Sequence, residues 1–118
     1  MTNQEAFDKM MNHLRNLKVR SMSEGGSCVY NGSKCAIGAL MTDEEQEQFG
    51  RYEGDVRTLL RAMRWGDHQS MLHDLDPDFL ENMQILHDQG GAWDEGGFVA
   101  EEIAEQIAKQ FGLTYNKP

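Results

Sequence analysis

The chain has 118 residues, a formal charge of −9 and two cysteines. That length can bury one hydrophobic core without disulfides or a metal as staples, so a single globular domain over residues 1–118 is expected. The sequence holds no run of about eighteen apolar residues to span a membrane, and MTNQEAFDKMM lacks the basic and apolar regions of a secretory signal; a soluble, cytoplasmic protein is the expectation.

Helical periodicity dominates. Thr2 and Glu5 have the spacing of a capping box, and Ala6, Phe7, Met10, Met11, Leu14 and Leu17 recur on one face, which predicts an amphipathic helix over residues 3–18. After the loop VRSMSEGG comes the one β signal, SCVYNGSKCA, where Asn31-Gly32 supplies the two positive-φ positions of a type I′ turn. A short β-hairpin near residues 27–36 is predicted from it. Ala36 to Met41 reads as a small-residue helical turn. Thr42 and Glu45 then form a second capping box opening the short acidic helix DEEQEQF, which FGRYEG breaks.

Val56, Leu59, Leu60 and Met63 mark the next helix, ending near Trp65-Gly66, and Met71, Leu72 and Leu75 suggest one short helical turn. Asp76-Pro77 is an N-cap followed by a first helical residue, and Phe79, Leu80, Met83 and Leu86 carry that helix to Gly90-Gly91. Val99, Ile103, Ile107 and Phe111 give a last helix with a Schellman-type stop at Gly112-Leu113, and residues 113–118 are expected to fray. The predicted fold class is α+β, mostly helical, with about five helices and one short hairpin.

Around the Asn31-Gly32 turn, Cys28 falls opposite Cys35 as a hydrogen-bonded pair, with Cα atoms about 5.5 Å apart. That is within disulfide range, but a cytosolic chain sits in a reducing pool. Zinc would need two further ligands, for which His73 and His87 are candidates, and the cysteines lack the tight CxxC spacing. A reactive thiol would need a neighbouring base or a helix N-terminus, and Cys35 lies just before the Ala36 turn. Core packing remains the favoured role, because free cysteine behaves as a small, buried hydrophobe.

The CxYxG at Cys28 to Gly32, the KCAIGAL that follows, Thr42-Asp43 with its acidic stretch, Glu53-Gly54, Leu86-His87-Asp88 and the final FGL together resemble a family of small uncharacterised proteins encoded mainly by phages and prophages. The resemblance spans most of the chain and is most specific at the hairpin. It implies a small phage-type accessory protein, and it carries over no catalytic residue or cofactor.

Other patterns are better explained by helix ends. DLDPDFLE begins like a calcium loop, but Phe79 stands at the glycine position and Ile85 where a bidentate glutamate belongs; Asp76 and Asp78 suit a helix start instead. His73-Asp74 and His87-Asp88 lack the additional ligands of a metal phosphohydrolase and suit helix C-termini. Walker, GxGxxG, GxSxG and HExxH motifs are missing, so no enzyme activity and no cofactor are expected. Met10, Met11, Met63, Met71 and Met83 read as core, and Trp65 and Trp93 as loop anchors or, if exposed, interaction hot spots.

Charge is distributed unevenly. Residues 1–35 hold five Lys/Arg against three Asp/Glu, whereas residues 36–118 hold six against seventeen. Trp65 to Ala108 contains eleven acids and no Lys or Arg. A surface of one sign repels itself and makes sense if it steers toward a basic partner, such as a nucleic-acid-binding protein. Glu101, Glu102 and Glu105 on the last helix, with Asp78 and Glu81 on the one before, are the candidate partner-binding residues. Direct nucleic-acid binding is not expected from so acidic a chain, nor is a membrane partner. The expected function is therefore an acidic phage-type accessory protein that binds and modulates a basic protein. The alternative is a thiol or zinc site built from Cys28 and Cys35 with His73 and His87.

Overall fold

The computed structural model describes residues 1–16, 36–49, 55–94 and 96–118. The predicted hairpin and both cysteines lie outside these residues, apart from Ala36 at the hairpin's end. Within them the fold is α+β and mostly helical: α1 (Asn3–Asn16), α2 (Asp43–Phe49), α3 (Val56–Trp65), α4 (Pro77–Asp88) and α5 (Glu101–Gln110), with single 3-10 turns at Gly38–Leu40, Met71–Asp74 and Gly90–Ala92. Two short strands, β1 (Trp93–Asp94) and β2 (Gly97–Phe98), pair antiparallel with Trp93 opposite Phe98.

Local chemistry sets the helix ends. At α1 the Thr2 hydroxyl accepts the Glu5 N–H at 3.1 Å while the Glu5 carboxylate accepts the Thr2 N–H at 3.0 Å; Thr42 and Glu45 repeat the arrangement at α2. Asp55 caps α3 by accepting the Thr58 N–H, and Asp76 caps α4 ahead of Pro77. The Schellman stop of α5 forms as predicted: Gly112 adopts φ +69°, and the Leu113 N–H reaches the Ala108 carbonyl at 2.7 Å.

Packing is organised around α4, which contacts α1, α3 and α5, while α1 also packs on the Gly38–Leu40 turn and on β2. Phe79 of α4 is completely buried, with its ring 6.4 Å from Phe7 of α1 and 5.5 Å from Phe111 beyond α5. Met10, Met11, Met63 and Met83 are core side chains, as their helical spacing predicts. Met71 is the exception, since it opens a 3-10 turn and is 41% exposed.

Two expectations are corrected. Val99 precedes α5 rather than belonging to it, and both Val99 and Ile103 are exposed. The buried face of α5 is Ala104, Ile107 and Ala108, continued by the half-buried Phe111. The C-terminal segment is also bound rather than frayed. Leu113 and Tyr115 pack on the core; Gln4 donates to the Thr114 carbonyl and accepts the Thr114 N–H; Arg15 donates to the Asn116 carbonyl at 2.8 Å. These bonds supply the tail's backbone with partners that no helix or strand provides.

Candidate interaction surface

The five acids expected to face a partner divide into two groups. Arg15 of α1 holds Glu101 in a bidentate pair, Nη2 at 2.7 Å and Nε at 3.1 Å, and the Tyr115 hydroxyl donates to the same carboxylate at 2.6 Å. The Arg15 guanidinium lies 5.8 Å from the centre of the Tyr115 ring. Burial alone would raise the Glu101 carboxyl, but the hydrogen bonds from Arg15 and Tyr115 outweigh it and hold it below the usual glutamate range. Glu101 is thus a structural residue that ties α5 and the tail to α1, and not part of an open acidic strip.

Asp78 and Glu81 are likewise engaged. Arg57 of α3 pairs with Asp78 and donates from Nε to Glu81 at 2.6 Å, bridging α3 and α4. Only Glu102 and Glu105 of the five make no ion pair among the described residues. They line a shallow recess with Glu101, Tyr115, Lys117 and Pro118, where Lys117 offsets part of their charge. This correction bears on stability: reversing Glu101 would place two cations together, whereas Glu102 is exposed and can be reversed at little cost.

The arginine clamp gives an expected result of its own. Arg15→Met should lower stability by about 1–2 kcal/mol, the scale of charged hydrogen bonds lost at a half-buried site. It should also speed amide exchange at Tyr115 and Asn116 more than within α4; uniform exchange across both segments would show that the clamp does not hold the tail.

Beside Glu102 lies the feature that sequence reasoning missed. Ile85 of α4 is 49% exposed and Ile103 of α5 is 39% exposed, and both open into one groove between the helices, whose other walls include Asn82, Gln89, Gln106 and Gln110. An apolar strip edged by uncharged amides resembles the centre and rim of a protein interface. The signal was present in the sequence: Ala104 and Ala108 lie at helical spacing from Ile107 and Phe111, which leaves Ile103 outside the alanine face.

The histidines proposed as ligands have structural partners. His73 Nδ1 accepts the Ser70 N–H at 3.0 Å and Nε2 donates to the Leu60 carbonyl at 3.1 Å, so both ring nitrogens are engaged. His87 is fully buried, bonded to Asp88 at 2.8 Å, and stacks edge-on against Trp93, whose Nε1 donates to the His87 carbonyl. The described residues contain no group of three or more His, Cys, Asp or Glu arranged to hold a metal. None of their helices is long and apolar enough to cross a membrane.

Among the described residues one acid is buried outright. Glu45 accepts from His68 Nε2 at 2.7 Å as well as from the Thr42 backbone, and the His68 ring lies 5.5 Å from Phe49. Burial would raise its carboxyl, yet the Ser70, Thr42 and His68 hydrogen bonds together leave it lowered. The arrangement differs from a hydrolytic triad: His68 bonds the Glu45 carboxylate, while the Ser70 hydroxyl accepts the Leu72 N–H at 3.1 Å and caps the Met71–Asp74 turn.

Comparison of the chain with protein-family models, curated proteins and solved structures finds no match.

Proposed function

We propose that this chain is a phage-type accessory protein that binds and modulates a basic protein partner, with the α4/α5 groove as its docking face. The reading is of a binding protein rather than an enzyme. The observation that carries it is the pair Ile85 and Ile103, exposed across one groove, with the exposed Glu102 preceding Ile103 on α5 and Glu102 and Glu105 lining a separate recess of the same helix. Such a face suits a segment whose apolar residues enter the groove and whose Lys or Arg side chains meet α5. The excess of 20 Asp/Glu over 11 Lys/Arg would add long-range attraction for that partner.

The test is an affinity capture from bacterial lysate with the wild-type protein, followed by kinetics on the recovered partner. Ile85→Asn with Ile103→Asn should raise Kd by about thirtyfold or more, as for central hot-spot residues. Glu102→Lys with Glu105→Lys should slow association by about tenfold and reduce its salt dependence. Unchanged kinetics in both variants would exclude this groove as the docking face.

A further inference from the structure

A second surface has the opposite chemistry. Arg61, Arg64 and Trp65 stand at i, i+3 and i+4 on the exposed side of α3, so they share one face. Trp65 is 90% exposed. Among the described residues, neither Arg61 nor Arg64 forms an ion pair, although Arg57, one turn earlier, is met by both Asp78 and Glu81. Arg61 adds only its longer-range charge to the field at Asp55. Next to them, Arg57, Leu60, Arg61, Arg64 and Pro77 line a cleft with an apolar floor and guanidinium walls.

Leaving a tryptophan almost wholly in water forgoes the stabilisation that burial of so large an apolar side chain would contribute. Two unpaired arginines beside it, in a chain with nearly twice as many acids as bases, form a local positive patch on a negative molecule. Tryptophan and arginine are the residues most enriched at binding hot spots, and guanidinium pairs carboxylates with bidentate geometry.

We propose that this α3 surface docks an acidic protein segment, with an apolar side chain of the partner against Trp65, Leu60 and Pro77 and its carboxylates on Arg61 and Arg64. Charge complementarity selects that occupant. A peptide can set individual carboxylates on Arg61 and Arg64 with uncharged residues between them, whereas single-stranded nucleic acid, which could stack on Trp65, would bring a phosphate at every nucleotide against Asp55, Asp67 and Asp78 on and beside α3. A second copy would bring the −9 charge of the whole chain against itself. The inference is independent of the α4/α5 groove.

The probe is a fluorescently labelled synthetic peptide repeating Glu-Leu-Asp-Phe, blocked at both ends, titrated with the intact protein and followed by anisotropy. Saturable binding with a blue shift of tryptophan emission is expected, weakening as salt rises. Trp65→Ala, and Arg61→Gln with Arg64→Gln, should each weaken it by about tenfold or more. Lys109→Gln, which removes a cation from α5, should leave it unchanged. Circular dichroism and melting of every variant should match wild type, since the substituted side chains are exposed. Absence of binding at millimolar peptide, equal binding by the α3 variants, tighter binding of a single-stranded oligonucleotide, or self-association abolished by Trp65→Ala would each overturn the proposal.

Discussion

Phe79→Ala should lower the free energy of unfolding by about 3–5 kcal/mol, the largest loss expected from any single side chain in this protein. Phe79 is fully buried on α4, the helix that contacts α1, α3 and α5, and its ring meets Phe7 on one side and Phe111 on the other. Truncation removes the transfer free energy of the ring and leaves a cavity whose walls come from separate helices. Those walls cannot close without shifting α1 or α5 as a body. Each aromatic pair adds about 0.5–1.5 kcal/mol beyond area burial, so both contacts enter the loss. Against the usual stability of about 5–15 kcal/mol, the variant should be barely folded at physiological temperature. Urea titration of wild type and variant measures the difference. A loss of about 0.5 kcal/mol, the scale of a surface substitution, would place the centre of the core elsewhere.

Helix ends were the most legible part of the sequence, because their chemistry is local. Thr2 with Glu5, Thr42 with Glu45, Asp76 ahead of Pro77, and Gly112 each act on residues no more than a few positions away, and each forms as its motif predicts. The two-residue strands around Trp93 and Phe98 were not legible, since period-two alternation cannot show over so short a length. Their pairing rests on the Trp93 and Phe98 rings, 5.5 Å apart, and on the turn where Asp94 accepts the Gly96 N–H.

For α5 the sequence offered two overlapping faces. Branched residues favoured Ile103 with Ile107, but Ala104 and Ala108 form the face that is buried against the rest of the fold. With Ala104 and Ala108 buried, Ile103 falls at the edge of that face and lines the groove between α4 and α5. The candidate site was only partly readable for a related reason. Counting charges showed an acidic surface, but the pairing of Arg15 with Glu101 joins positions 86 apart in the chain, and Arg57 reaches Asp78 and Glu81 across a helix boundary. Which acids are neutralised depends on topology, which charge counts along the chain do not contain. Glu102 and Glu105 therefore emerge as candidates only after the others have found their partners.

Glu45→Ala should cost about 2–4 kcal/mol at neutral pH, because the buried carboxylate leaves behind the Thr42 N–H, the His68 ring N–H and the Ser70 hydroxyl. It should also change how stability varies with pH. Glu45 and Glu101 both have folded-state values below the ordinary glutamate value of 4.5, so the unfolded chain takes up protons more readily than the native protein. Their stabilising contribution is complete above 4.5 and is lost as pH falls below it through the folded-state values. Wild-type unfolding midpoints in urea should therefore decline as the solution is acidified through that window. Glu45→Gln retains much of the volume but neither the charge nor the proton uptake, so it should be weaker than wild type at neutral pH and converge on it in acid. Glu45→Gln combined with Glu101→Gln should flatten the curve further. Parallel curves for wild type and both variants would mean that neither carboxylate is held below its unfolded value, and that the hydrogen bonds around Glu45 serve only to position α2 against His68 and Ser70.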